Sequence, residues 1–259
     1  MERLPDIQLT CIWKKLEMIK YCSAFCLLLC ALFLFSGCAL VDHFRTPEPD
    51  TAQDIMEDGE EAFEQGDYQE AISRFRQLKE DFPFSPYTTR AELRLADAYF
   101  ADEQYEAAKL AYKDFESLHP GHEKIPHALL RIGKSNLRQF RAIDLPQDNV
   151  REARQFFNRV QQSYPQTEYA QEAREYADKC ARHLANHEIF VANFYWRTSD
   201  YQAAWKRYAG VADNFSELEE IYEYASERSD LAYYRYQQQQ AEDIRTEEKG
   251  TWRNWFDWL

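Results

Sequence analysis

Glycine is scarce in this chain: seven in 259 residues, six of them beyond position 37. So few exclude a glycine-rich phosphate cradle and a hairpin-rich β fold, because both need repeated left-handed backbone positions. A Gly-x-Ser-x-Gly elbow, a P-loop and a dinucleotide fingerprint are all missing. Cysteine is confined to one end, with Cys11, Cys22, Cys26, Cys30 and Cys38 followed only by Cys180. A lone thiol forms no internal disulfide and lacks zinc-site spacing, so Cys180 reads as a small buried hydrophobe. Cations are in deficit, 31 Lys and Arg against 45 Asp and Glu, for a net charge of −14. That balance argues against nucleic acid and anionic lipid surfaces as the main partners. Glu, Gln, Ala, Arg, Leu and Tyr dominate instead, a helical composition.

There is one long apolar run, the 15 residues from Tyr21 to Phe35. It suits a secretory h-region and is short for a spanning helix. Lys14, Lys15 and Lys20 precede it, and Ser36, Gly37 and Cys38 follow. Leu34-Phe35-Ser36-Gly37-Cys38 resembles a bacterial lipoprotein processing site, which implies a signal peptide over 1–37 and a covalent lipid on Cys38. Met18 offers an alternative start. Ala39, by resemblance to the sorting rule of didermic bacteria, favours the outer membrane. Residues 38–52, with Pro47 and Pro49, form a lipidated tether. No other cofactor is expected.

Internal repetition sets the fold. Tyr68, Ala71, Phe75 and Pro83 stand at offsets of 3, 7 and 15, and so do Tyr105, Ala108, Tyr112 and Pro120. Val150, Ala153, Phe157 and Pro165 repeat the spacing, and Tyr201, Ala204, Tyr208 and Ser216 repeat it with Ser in place of Pro. Ala lets two helices approach, the aromatic four residues on fills the gap between units, and Pro ends the helix. A small residue twelve before each Ala marks a preceding first helix: Gly59, Ala96 and Ala192. In the third unit Gly133 lies twenty before Ala153, so about eight extra residues fall near Ala142–Asp148. The expectation is an all-α, tetratricopeptide-like solenoid of helical hairpins over 53–243. It has about five pairs, the last over 217–243 closing the array, with a Trp-rich tail at 244–259. The unit spacings of 37, 45 and 51 exceed the basic 34-residue period, so helices or connections are extended.

Stacked pairs present their first helices on one face. Register places Glu60, Phe63 and Glu64 there from the first unit, then Leu93, Asp97 and Phe100. Leu130, Lys134 and Arg138 follow from the third, and Asn193, Trp196 and Arg197 from the fourth. This reads as a protein-binding groove, acidic at one end and basic at the other, which would orient an extended ligand with its carboxylate near Lys134, Arg138 and Arg197.

No constellation points to catalysis or to a metal. His183 and His187 share a helix face but lack a third ligand, and His119, His122 and His127 surround the Pro120-Gly121 break. Acidic pairs such as Glu60-Glu61 and Glu219-Glu220 belong on solvated faces. Trp252, Trp255 and Phe256 fall on one helical stripe that either folds back on the last helices or contacts a partner or membrane interface.

Several stretches are more specific than a generic repeat: Gly66-Asp67-Tyr68-Gln69-Glu70-Ala71-Ile72, Asp81-Phe82-Pro83-Phe84, Ser163-Tyr164-Pro165 with Glu168-Tyr169-Ala170, Leu184 through Tyr195, and Ser199 through Ala204. Over about residues 38–216 the chain resembles the BamD family of lipoproteins, outer membrane protein assembly factors of the β-barrel assembly machinery. That resemblance implies a non-enzymatic scaffold on the periplasmic face of the outer membrane. It also implies BamA and other machinery subunits as partners, with unfolded β-barrel proteins as substrates. N-terminal repeats would meet the substrate and C-terminal ones would hold BamA. The alternative is another periplasmic helical-repeat lipoprotein adaptor, serving envelope integrity or pilus assembly.

Overall fold

A computed structural model describes residues 50–256, with side chains to residue 248. The expected signal peptide, Cys38, most of the expected tether and the side chains of the Trp-rich stripe lie outside the described residues. Within them are nine α-helices and no strand: α1 (Ala52–Gln65), α2 (Tyr68–Asp81), α3 (Thr88–Ala101), α4 (Tyr105–Leu118), α5 (Ile125–Arg138), α6 (Asp148–Ser163), α7 (Glu168–Arg197), α8 (Tyr201–Asn214) and α9 (Glu219–Phe256). Consecutive helices pack on one another along the whole series, as stacked hairpins do.

Local chemistry explains the boundaries. Thr51 and Asp54 form a capping box at the start of α1, each side chain accepting the other's backbone N–H. Gly66 closes α1 at φ 81°, and Asp67 then caps α2 by accepting from the Glu70 amide at 3.2 Å. Glu103 and Ser199 occupy the same left-handed position in the second and fourth units, at φ 60° and 61°. Asp200 caps α8 as Asp67 caps α2.

The repeated residues form the core. Ala71, Ala108, Ala153 and Ala204 are all fully buried, as are Phe75, Tyr112, Phe157 and Tyr208. The small residue of each first helix matches the ring it faces. Gly59 and Gly133 meet Phe75 and Phe157 so closely that a β-carbon would sit 2.6 and 2.5 Å from the ring. Where the small residue is Ala96 or Ala192, the ring is Tyr112 or Tyr208. Its hydroxyl donates to the side chain of the next residue, Asp97 or Asn193, at 2.5 Å.

Two helices depart from the expected scheme. α7 runs for 30 residues where the first helices of the first three units have 14, so the long third spacing, 51 residues, is helix rather than connection. Its first half meets α6 and α5, through Tyr176 on Phe157 and Glu172 on Lys134, and its second half meets α8, through Glu188 on Arg207 and Asn193 on Tyr208. The helix pair expected over 217–243 is a single helix, α9, because no Pro or Gly interrupts the chain before Gly250. α9 therefore runs without a break across residues 243 and 244. The extra residues of the third unit do form a loop, 139–147, docked on α7: the His183 ring lies 4.9 Å from Phe140, and His187 Nδ1 is 2.5 Å from the Ile143 carbonyl.

A candidate protein-binding surface on the first helices

The first helices α1, α3, α5 and α7 lie side by side, and the residues assigned to a groove mark their common face. Three of the anticipated charges, Glu60, Asp97 and Lys134, have a partner on the next first helix. Glu60 accepts from Arg90 at 2.9 Å and Arg94 at 2.5 Å. Asp97 lies 2.9 Å from His127 Nε2 and 3.7 Å from the Arg94 guanidinium. Lys134 donates to Glu172 at 2.5 Å. Burial pushes the Asp97 carboxyl up, but the hydrogen bond and charge of His127, the Tyr112 hydroxyl and Arg131 outweigh it and hold it below its ordinary value. The Tyr112 hydroxyl is driven well above its ordinary value by burial and by Asp97.

Aromatic residues follow a second repeated arrangement. Phe63, Phe100 and Trp196 each meet, edge to face, the tyrosine five residues on (Tyr68, Tyr105 and Tyr201), with centroids 5.4, 5.4 and 5.3 Å apart. A guanidinium from the next unit covers each ring: Arg94 over Phe63 at 4.1 Å, Arg131 over Phe100 at 4.6 Å, Arg228 over Trp196 at 5.7 Å. The third unit has Leu137 and Val150 at these positions and lacks the arrangement.

These contacts change the expected polarity. Carboxylates toward the N-terminal end are matched by Arg90, Arg94 and His127, so the face is a ladder of paired charges rather than an acidic half and a basic half. Glu64, Arg138 and Arg197 stay exposed, while Leu130 belongs to the core, where the first half of α7 crosses α5. Between α3, α5 and the start of α7 a cleft of about 560 Å³ opens, lined among others by Leu93, Arg94, Asp97, Lys124, His127 and Tyr169. Sequence reasoning missed Arg94 and Arg131, although they are 37 residues apart, as are Glu60 and Asp97 or Phe63 and Phe100. Side chains that pair charges and present half-buried rings can hold an extended polypeptide.

A family model described as outer membrane lipoprotein, YfiO, matches residues 48–249, well over half of the chain. The chain belongs to this family. Among curated relatives, outer membrane protein assembly factor BamD of Vibrio cholerae is 25% identical over 206 residues, covering 74% of this chain and 83% of that protein. The Caulobacter vibrioides protein of the same name is 27% identical over 155 residues, and there the match covers 60% of this chain but only 51% of the relative. The resemblance to BamD read from the sequence therefore holds. Among solved structures, the first TPR domain of human RPAP3 is similar over 54% of this chain and 98% of that domain, at 23% identity and a TM-score of 0.42. Among the described residues no helix is long and apolar enough to cross a membrane.

Proposed function

We propose that this YfiO-family lipoprotein is an assembly scaffold of the outer membrane, held at its periplasmic face by lipid on Cys38. In this reading it binds BamA and unfolded β-barrel proteins and catalyses no reaction. The observation that carries the reading is the match over 48–249 to a family whose similar members are named outer membrane protein assembly factors. The first-helix face is the proposed receptor. Phe63, Phe100 and Trp196 offer apolar contacts to aromatic side chains of an extended segment. Glu60, Asp97, Lys134 and Asn193 fix its backbone, and the exposed Arg138 and Arg197 meet its acidic groups.

Affinity purification from membranes through a C-terminal tag tests the assembly role, with BamA expected in the eluate. Its absence, with other envelope proteins present, would favour the adaptor reading instead. Cys38→Ser is expected to release the protein from the membrane fraction. Lys134→Glu, Arg138→Glu and Arg197→Glu combined should weaken binding of unfolded barrel proteins, and undiminished binding would rule out this basic contact.

A further inference from the structure

Phe84 is the most exposed large apolar side chain among the described residues, at 99%. It sits at the tip of the turn between α2 and α3, and that turn is stiff. Pro83 and Pro86 restrict the backbone, the Phe82 carbonyl accepts from the Ser85 amide at 3.0 Å and from the Thr88 hydroxyl at 2.6 Å, and Ser85 Oγ accepts from the Tyr87 amide at 3.2 Å. A rigid turn holding an aromatic ring in water is pre-organised for an apolar medium, since little ordering remains to be done on contact. At the corresponding positions of the later units stand Gly121, Gln166 and Glu217, so the device belongs to the first unit alone.

The place of that unit in the chain points to the medium. α1 and α2 are equal antiparallel helices of 14 residues joined by Gly66 and Asp67. The start of α1 at Thr51 and the turn bearing Phe84 therefore share one end of the first hairpin. α4 returns to the same end with Leu118, which is 59% exposed. Twelve residues lie between Cys38 and Thr51, a reach of at most about 45 Å when fully extended.

We propose that Phe84, with Leu118 at the same end of the helices, enters the interfacial region of the bilayer that carries the lipid on Cys38, and so sets how the first hairpin stands on the membrane. This rests on the lipid-anchor reading above. Lys79 and Arg90 near the turn are balanced by Glu80 and Asp81, so the contact is apolar rather than electrostatic and persists at high salt.

The test uses the lipidated protein in vesicles of phosphatidylethanolamine with a minority of phosphatidylglycerol. In that protein Cys38 is acylated and Cys180 is buried, so a spin label on Phe84→Cys or on the control Gln166→Cys is specific. The expected result is an oxygen-to-nickel-chelate accessibility ratio several-fold higher at 84 than at 166, unchanged by salt. Equal, water-like ratios at both positions would overturn the proposal while the protein still pellets with the vesicles. Loss of pelleting itself would instead remove the anchor, and the proposal with it. A label at 84 that becomes inaccessible to both reagents only when co-purified envelope proteins are added would assign Phe84 to a protein partner and equally overturn it.

Discussion

Replacing Gly133 by alanine pits two known effects against each other. The new methyl carbon would lie 2.5, 2.8 and 2.9 Å from Cε1, Cζ and Cδ1 of Phe157, whereas unstrained carbon contacts need roughly 3.5–4.0 Å. The ring cannot retreat, because it is fully buried and stacked on Tyr176 at 5.3 Å. Overpacking of this kind costs about 1–3 kcal/mol, against about 1 kcal/mol gained from placing Ala rather than Gly inside a helix. The net expectation is a loss of up to about 2 kcal/mol, and for a protein of this size each kcal/mol lowers the midpoint by about 2–4 °C. Gly210, inside α8, is the control: nothing lies within 4 Å of its would-be β-carbon. There the propensity gain of up to about 1 kcal/mol acts alone, and Gly210→Ala should be stabilising. Thermal and urea melts followed by far-ultraviolet circular dichroism decide the matter. In a Phe157→Leu background, Gly133→Ala should cost less than in the wild type. A Gly133→Ala protein more stable than the parent, by as much as Gly210→Ala is, would refute the claim that glycine is there to admit the ring.

Other consequences are open to simple measurement. Tyr112→Phe removes the hydroxyl donating to Asp97 and should cost about 1–2 kcal/mol in urea unfolding. Because the folded Asp97 carboxyl lies below its unfolded value, its stabilising contribution is full above about pH 4 and is lost as pH falls through the lower folded value. The stability gap between wild type and Asp97→Asn should therefore close on acidification, and a gap independent of pH would contradict the direction of that shift. His183→Ala with His187→Ala should free the 139–147 loop, raising amide exchange there while leaving the global midpoint nearly unchanged. Burial pushes the Cys180 thiol up to about 12, so maleimide should label the mature protein at this site only after unfolding.

Much of the architecture was legible because the repeat is written in neighbouring residues. The Tyr, Ala, aromatic and Pro offsets describe one face of one short helix and its stop, and all four Ala and all four aromatics are buried where that register places them. The third-unit insertion was legible as well, through its turn-forming residues. The two long helices were harder to see, although the breaker-free stretches 166–197 and 217–249 were in plain view. A repeat frame implies a stop every unit, whereas a helix stops only where side chains or backbone make it.

The first-helix face divides along the same line. Residue spacing alone placed Glu60, Phe63, Asp97, Phe100, Lys134, Asn193 and Trp196 on the first helices, since helical periodicity is a local property of the chain. Their electrostatic character was decided only by the tertiary structure. Whether Glu60 is a bare carboxylate or one clasped by Arg90 and Arg94 depends on the angle and rise between successive hairpins. The same holds for Lys134 with Glu172 and for the His187 ring with the Ile143 carbonyl. No single unit encodes that geometry; it arises from packing between units, where buried rings and the small residues facing them set how closely the helices lie.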